Sequence, residues 1–262
     1  LPGAKLQAMT QATAYKIIRK LKMEKPTYRE LLNRRATMEN MTRAKAAAAS
    51  DDGESPPARK IWRSTFDKDI SRSIRFFLWM LIHDGYKVGK FWDNIPTCQQ
   101  RGQCPRCGVH ESMEHILTQC GEPGQKEVWD LASELWRMKT GNDLRPTIGQ
   151  IMAGGVTKLV DPGTTRLHKI LITESAHLIW RLRNERVIQQ TGSAPLAEIR
   201  NRWLKTINNR LAIDCAMTDE FKYGKKALKI SLVKRTWKKT LKDERTLARD
   251  WPKNIGVLVG VG

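Results

Sequence analysis

Ile70, Ile74, Phe77, Leu78, Leu81 and Ile82 recur at i, i+4, i+7 and i+8, the apolar stripe of a helix with one buried face. The stripe predicts a helix within 64–92, a turn at Gly85 and a shorter helix after it, in a compact part that begins at Ile61. Glu122-Pro123-Gly124 opens a second strong pattern, with Val128, Leu131, Leu135 and Trp136 on one side. Residues 140–164, rich in Gly, Pro and Thr, read as loops around a short helix at 147–153. The clearest helix covers 165–190, where Leu167, Ile170, Leu171, His177, Leu178, Leu182 and Val187 repeat near period 3.6. Two more are predicted over 195–217 and 226–246. No segment alternates as a strand does, and there is no internal repeat.

The N-terminal stretch differs in kind. Residues 4–49 read as helical, broken at Pro26, with Leu21, Met23, Leu31, Leu32 and Met38 scattered among 11 Lys and Arg and only 3 acids. It is basic and weakly amphipathic. Residues 49–59 have the composition of a flexible linker. The expected organisation is a basic arm and linker over 1–60, a helical domain over 61–140 that holds four of the five cysteines, and a basic helical bundle over 141–262. The fold class is mostly α.

Charge narrows the partners. The 262 residues carry 47 Lys and Arg against 27 acids, a formal +20, and nine Trp. Phosphate backbones and anionic membrane surfaces accept that much positive charge. No run of about 18 uncharged apolar residues predicts a transmembrane helix. The opening Leu1-Pro2-Gly3 has neither an initiator Met nor a signal-peptide pattern, which predicts a segment of something longer.

Four of the five Cys crowd between Cys98 and Cys120, a clustering that favours metal over disulfides. Cys104 and Cys107 form a Cys-x2-Cys knuckle, and His115 and Cys120 follow at x7 and x4. Four N and S ligands suit tetrahedral Zn²⁺ in a closed, structural site. His110 could stand in for His115, and Cys98 for a cysteine, although Cys98 lies outside the knuckle spacing. Reduced cysteines packed by chance are the blander account. Glu111 and Glu114 flank the site, yet deaminase-like chemistry requires His-x-Glu, a later Pro-Cys-x-x-Cys and a vacant metal position, and that order is not met.

Phe77-Leu78-Trp79, Cys104-Pro105-Arg106-Cys107 and Glu111-Ser112-Met113-Glu114-His115-Ile116-Leu117-x2-Cys120 together resemble the reverse-transcriptase zinc-binding domain of LINE-type, non-LTR retrotransposons. The resemblance continues through Ser175–Arg181, Asn201-Arg202-Trp203, Ile207–Arg210, Trp237 and the closing Gly256–Gly260. Pro2–Leu6 is similar to the stretch that follows an RNase H domain in those polyproteins. The resemblance implies a nuclear, non-catalytic accessory region downstream of reverse-transcriptase and RNase H domains, which helps hold template RNA or target DNA. The chain has no polymerase Tyr/Phe-x-Asp-Asp motif, and Asp51 and Asp52 sit in the linker, a poor place for rigid metal ligands.

Residues 219–253 hold 12 basic and 5 acidic residues, with Trp237 and Trp251 interleaved. Lys225, Lys226, Lys234, Arg235, Lys238 and Lys239 are candidate phosphate contacts and Trp237 a candidate stacking ring. The alternative is a solvated face with its Trp in the core; with Lys229 the same cations could instead form a nuclear-localisation patch. His177 and Trp180 read as core, and His83-Asp84 as a helix end rather than a catalytic pair. Two other functions compete with nucleic-acid binding: a domesticated interaction module whose zinc knot organises a partner surface, and a hydrolase remnant whose catalytic domain precedes Leu1.

Overall fold

The computed structural model describes residues 9–24, 28–49, 54–159, 161–189, 192–253 and 256–261. Pro2–Leu6, Pro26, Asp51 and Asp52 lie outside them. The chain is mostly helical, and its described residues form no strand beyond two isolated bridges. The helices are α1 (Gln11–Glu24), α2 (Tyr28–Ala47), α3 (Ala58–Ser64), α4 (Arg72–Ile82), α5 (Gln125–Thr140), α6 (Ile148–Met152), α7 (Pro162–Ile188), α8 (Leu196–Ala216), α9 (Glu220–Tyr223) and α10 (Ile230–Trp237).

Local chemistry sets the helix ends. Thr147 and Gln150 exchange side-chain and backbone hydrogen bonds at the start of α6, a reciprocal capping box. Asp161 accepts from the Thr164 amide at 2.6 Å, and Pro162 occupies the first turn of α7. Ser71 caps α4 by accepting from the Ile74 amide. The helix expected from Ser64 to the turn at Gly85 is therefore shorter: residues 65–71 turn, α4 runs only from Arg72 to Ile82, and the short helix expected after Gly85 is a single 3₁₀ turn, Gly89–Phe91. The helix expected over 226–246 is shorter still. α10 stops at Trp237 because the chain then pairs with its own tail: Gly260 N donates to Thr240 O and Lys242 N to Leu258 O.

α7 is the axis. It packs against α4, α5, α6, α8 and α10. Leu167, Ile170, Leu171 and Leu178 lie in the core as the period predicted, and Val187 at the end is exposed. A helix buried on nearly all sides should be apolar all round. α7 instead carries Arg166, Lys169 and Arg183 inward, and each is paired. The Arg166 guanidinium, 3% exposed, meets Asp69 Oδ1 at 2.8 Å and holds both carboxylate oxygens of Asp214. Lys169 reaches Asp67 at 2.7 Å and Asp69 at 3.3 Å. Asp214 also accepts from Trp237 Nε1 at 2.9 Å, and Trp203 Nε1 donates to Ser175 at 3.0 Å. Burial opposes ionisation of both Arg166 and Asp69, but their mutual hydrogen bonds and charge offset it, so Asp69 stays below the usual carboxylate range.

The C-terminal half of α2 packs as well. Met41 and Ala44 are buried, and a Cβ on Gly149 of α6 would come within 2.6 Å of the Arg43 carbonyl oxygen. Ile18 and Leu21 of α1 and Leu31 and Met38 of α2 face solvent.

Removing one partner of a buried ion pair leaves the other charge desolvated. Asp214→Ala should cost about 3–5 kcal/mol in urea unfolding at pH 7, whereas Arg166→Met combined with Asp214→Leu should cost far less. Glu174, beside Arg210 and Asp214, is pushed by burial up to about 7 from an ordinary value of 4.5. Its raised folded value stabilises the fold fully below about pH 4.5, and that stability is lost as pH rises through 7. Glu174→Gln should therefore gain about 1–3 kcal/mol on wild type between pH 5 and pH 8. A difference that stays flat across that range would contradict it.

Candidate metal centre

Residues 103–110 form a tight knuckle. Cys104 N donates to Val109 O at 2.8 Å, Gly108 N donates to Cys104 O at 2.9 Å, and Gly108 turns at φ +68°. Gln103 and His110 close it as an isolated antiparallel bridge. Two thiols thus leave one short loop on the same side. The other two ligands come from a π-turn, His115–Gln119, whose closing bond runs from Cys120 N to His115 O at 2.8 Å. On an α-helix, residues five apart point about 140° away from each other. The i→i+5 turn brings them back toward one side, which accounts for the His-x4-Cys spacing. The carbonyl of Leu117 in this turn accepts from Trp129 Nε1 of α5 at 2.7 Å, so the widened turn is satisfied by the core.

Cys104, Cys107, His115 and Cys120 converge, with their ligand atoms all within 4.8 Å of one another, and this set could hold a metal ion. Cys104 and Cys120 Sγ are 3.8 Å apart, and Cys107 and Cys120 Sγ 4.0 Å. A tetrahedron with 2.3 Å metal–sulfur bonds has an edge of about 3.8 Å, whereas a disulfide needs about 2.05 Å. His115 Nε2 is buried without a hydrogen-bond partner, the kind of orphaned atom a metal would satisfy. Burial holds the His115 imidazole below the usual histidine range, which keeps it neutral and able to ligate near pH 7. The Gly121 amide donates to Cys107 Sγ at 3.3 Å and lowers that thiol, while burial pushes Cys120 up to about 12.

The two alternatives weighed in the sequence fall elsewhere. His110 Nε2 faces Asp93 at 3.1 Å, and Cys98 is a half-buried free thiol outside the cluster. The flanking acids hold the site in place. Glu111, 3% exposed, forms a two-pronged ion pair with Arg183 of α7, and Glu114 meets Arg43 of α2 at 2.7 Å.

The basic candidates separate. Lys225, Lys226, Arg235, Lys238 and Lys239 are exposed. Lys234 is half-buried and donates to the Arg249 carbonyl. Trp237 is fully buried and bonded to Asp214, so its expected role as a stacking ring is corrected: no ring face is left for a base. Trp251 is likewise buried. His177 and Trp180 pack partly buried beside Phe77 and Tyr86, and His83 ends α4, as their patterns indicated. Sequence reasoning missed the outer side of α4, where Phe76 and Trp79 are exposed. The signal available was two aromatics in addition to a stripe already complete without them. No helix among the described residues is long and apolar enough to cross a membrane. No family model, curated protein or solved structure matches the chain.

Metal analysis of the purified chain should find one ion per molecule. Cys107→Ser and His115→Ala should each lose it, and His110→Ala should keep it. Full metal content in both of the first two variants would remove the assignment.

Proposed function

We propose that this chain is a zinc-stabilised, nucleic-acid-binding accessory region of the kind found at the C-terminal end of LINE-type reverse transcriptases, without a catalytic centre of its own. The observation that carries this reading is the closed Cys104/Cys107/His115/Cys120 cluster in a chain of net charge +20. Zn²⁺ is the ion that three thiolates and an imidazole favour, and four protein ligands leave no position for a substrate. Bound there, it supplies structure: it clamps the knuckle to the π-turn that docks on α5 and α7. Arg101 and Arg106 of the knuckle are exposed beside it. The partners are RNA or DNA, and upstream reverse-transcriptase and RNase H domains of the same polyprotein, in the nucleus.

The buried carboxylates favour this over a hydrolase. Asp67, Asp69 and Asp214 are occupied by Lys169, Arg166 and Arg210 rather than poised around a shared metal pair. The exposed cations Lys225, Lys226, Arg235, Lys238 and Lys239, with Lys234, act as phosphate contacts. They provide charge without base recognition, so sequence preference should be weak.

Anisotropy titrations against single-stranded and duplex RNA and DNA test this. Six to ten phosphate contacts would weaken binding roughly 10³- to 10⁵-fold between 50 and 200 mM salt. Replacing the six cations with Gln should flatten that slope and weaken all sequences alike. Affinity that ignores salt would overturn the reading.

A further inference from the structure

α4 is clad in aromatics on the side it turns to solvent. Phe76 is 61% exposed and Trp79 41%, although a surface helix normally shows polar residues there. Their rings are near-parallel, 21° apart with centroids at 6.3 Å. The row continues: Trp79 packs on His83 at 4.4 Å, and His83 stacks on the half-buried Trp62 of α3 at 4.8 Å and 25°. Thr37 of α2 bonds His83 Nδ1 at 3.2 Å and holds that end against the fold. Four rings from two helices thus form one continuous row.

The same two helices carry cations. Arg72 lies one turn before Phe76 on α4, and Arg59 and Arg63 flank Trp62 on α3. All three are exposed, and among the described residues none has an ion-pair partner. Of the acids nearby, Asp67 and Asp69 hold Lys169 and Arg166, Glu39 holds Arg35 at 2.9 Å, and Glu54, five residues before Arg59, is exposed and has an interaction of its own. Asp84 sits past the His83 end. Exposed flat rings with uncompensated guanidinium groups on the same helices complement a polyanion that also carries flat apolar faces. That is single-stranded nucleic acid, whose unpaired bases stack on aromatic side chains while Arg contacts the phosphates. Protein interfaces also use aromatic and Arg side chains; what favours nucleic acid here is the chain's net charge of +20.

We infer that Trp62, His83, Trp79 and Phe76, with Arg59, Arg63 and Arg72, form a stacking platform for unpaired bases of single-stranded RNA or DNA. The inference rests on the nucleic-acid reading above and assigns base stacking to α3 and α4, away from the metal centre and from the lysines after α9.

The test uses the full chain, an oligo-dT of about 12 nucleotides, within the span such surfaces cover, and a duplex of equal length. Phe76→Ala with Trp79→Ala should weaken oligo-dT binding about 10- to 100-fold with an unchanged salt slope, and should leave duplex binding unaltered. Phe76→Tyr with Trp79→Phe should retain binding. Both residues are exposed, so unchanged helicity and metal content identify a folded variant. Oligo-dT affinity equal to wild type in the alanine pair, while the six-Gln variant loses binding, overturns this inference alone. Absence of any binding by wild type removes both readings. A change of sedimentation from dimer to monomer in the alanine pair, with oligo-dT affinity intact, shows a self-association face and also overturns the platform.

Discussion

Arg166 carries a buried guanidinium, and much of the chain is arranged around keeping it paired. One fork reaches Asp214 of α8, and Nε reaches Asp69 in the turn between α3 and α4. Asp214 in turn accepts the indole N–H of Trp237, which brings α10 into the same network. Replaced by apolar packing, such a network adds little net stability, but half-removed it is costly. Its consequence is register. The fixed fork geometry of Arg166 ties α7 to α8 and to the turn before α4 in one setting.

The metal centre inherits that setting. Glu111, just before the π-turn, is pinned by Arg183, nearly five turns along α7 from Arg166. Glu111 N also donates to Gly102 O at 2.8 Å, and Gly89 fits so closely against the Glu111 carbonyl that no side chain could be added there. Knuckle and π-turn therefore meet at a residue whose position α7 dictates. The four candidate ligands are brought together by local turns, and the pair of turns is aligned by a long-range ion pair.

What the sequence made legible follows the same division. α5, α6, α7 and α8 were readable because their apolar period and caps are local. The ligand set was readable because its spacing encodes a knuckle and an i→i+5 turn. The end of α10 was not, since it depends on the pairing of 240–242 with 258–260. Trp237 among lysines reads equally as a stacking ring or a core anchor, and the choice is made by Asp214, which no local pattern connects to it. The aromatic outer side of α4 was legible but unused: the stripe that covers Phe77 and Leu78 leaves Phe76 and Trp79 off the buried face.

Three glycines mark where distant segments touch. A Cβ on Gly149 would strike the Arg43 carbonyl at 2.6 Å, on Gly155 the Ser64 carbonyl at 2.6 Å, and on Gly163 the Arg235 backbone at 2.5 Å. Each crossing joins parts of the chain far apart in sequence, so each closes a large loop, which makes assembly slow. During synthesis at 5–20 residues per second, α2 leaves the ribosome roughly 5–20 s before α6 is made. For that interval Met41 and Ala44 lack the cover of α6, and only α3 and α4, which also pack on α2, are there to meet them. Any nascent-chain hazard of this crossing falls on α2, and a chaperone would have its greatest effect on that helix.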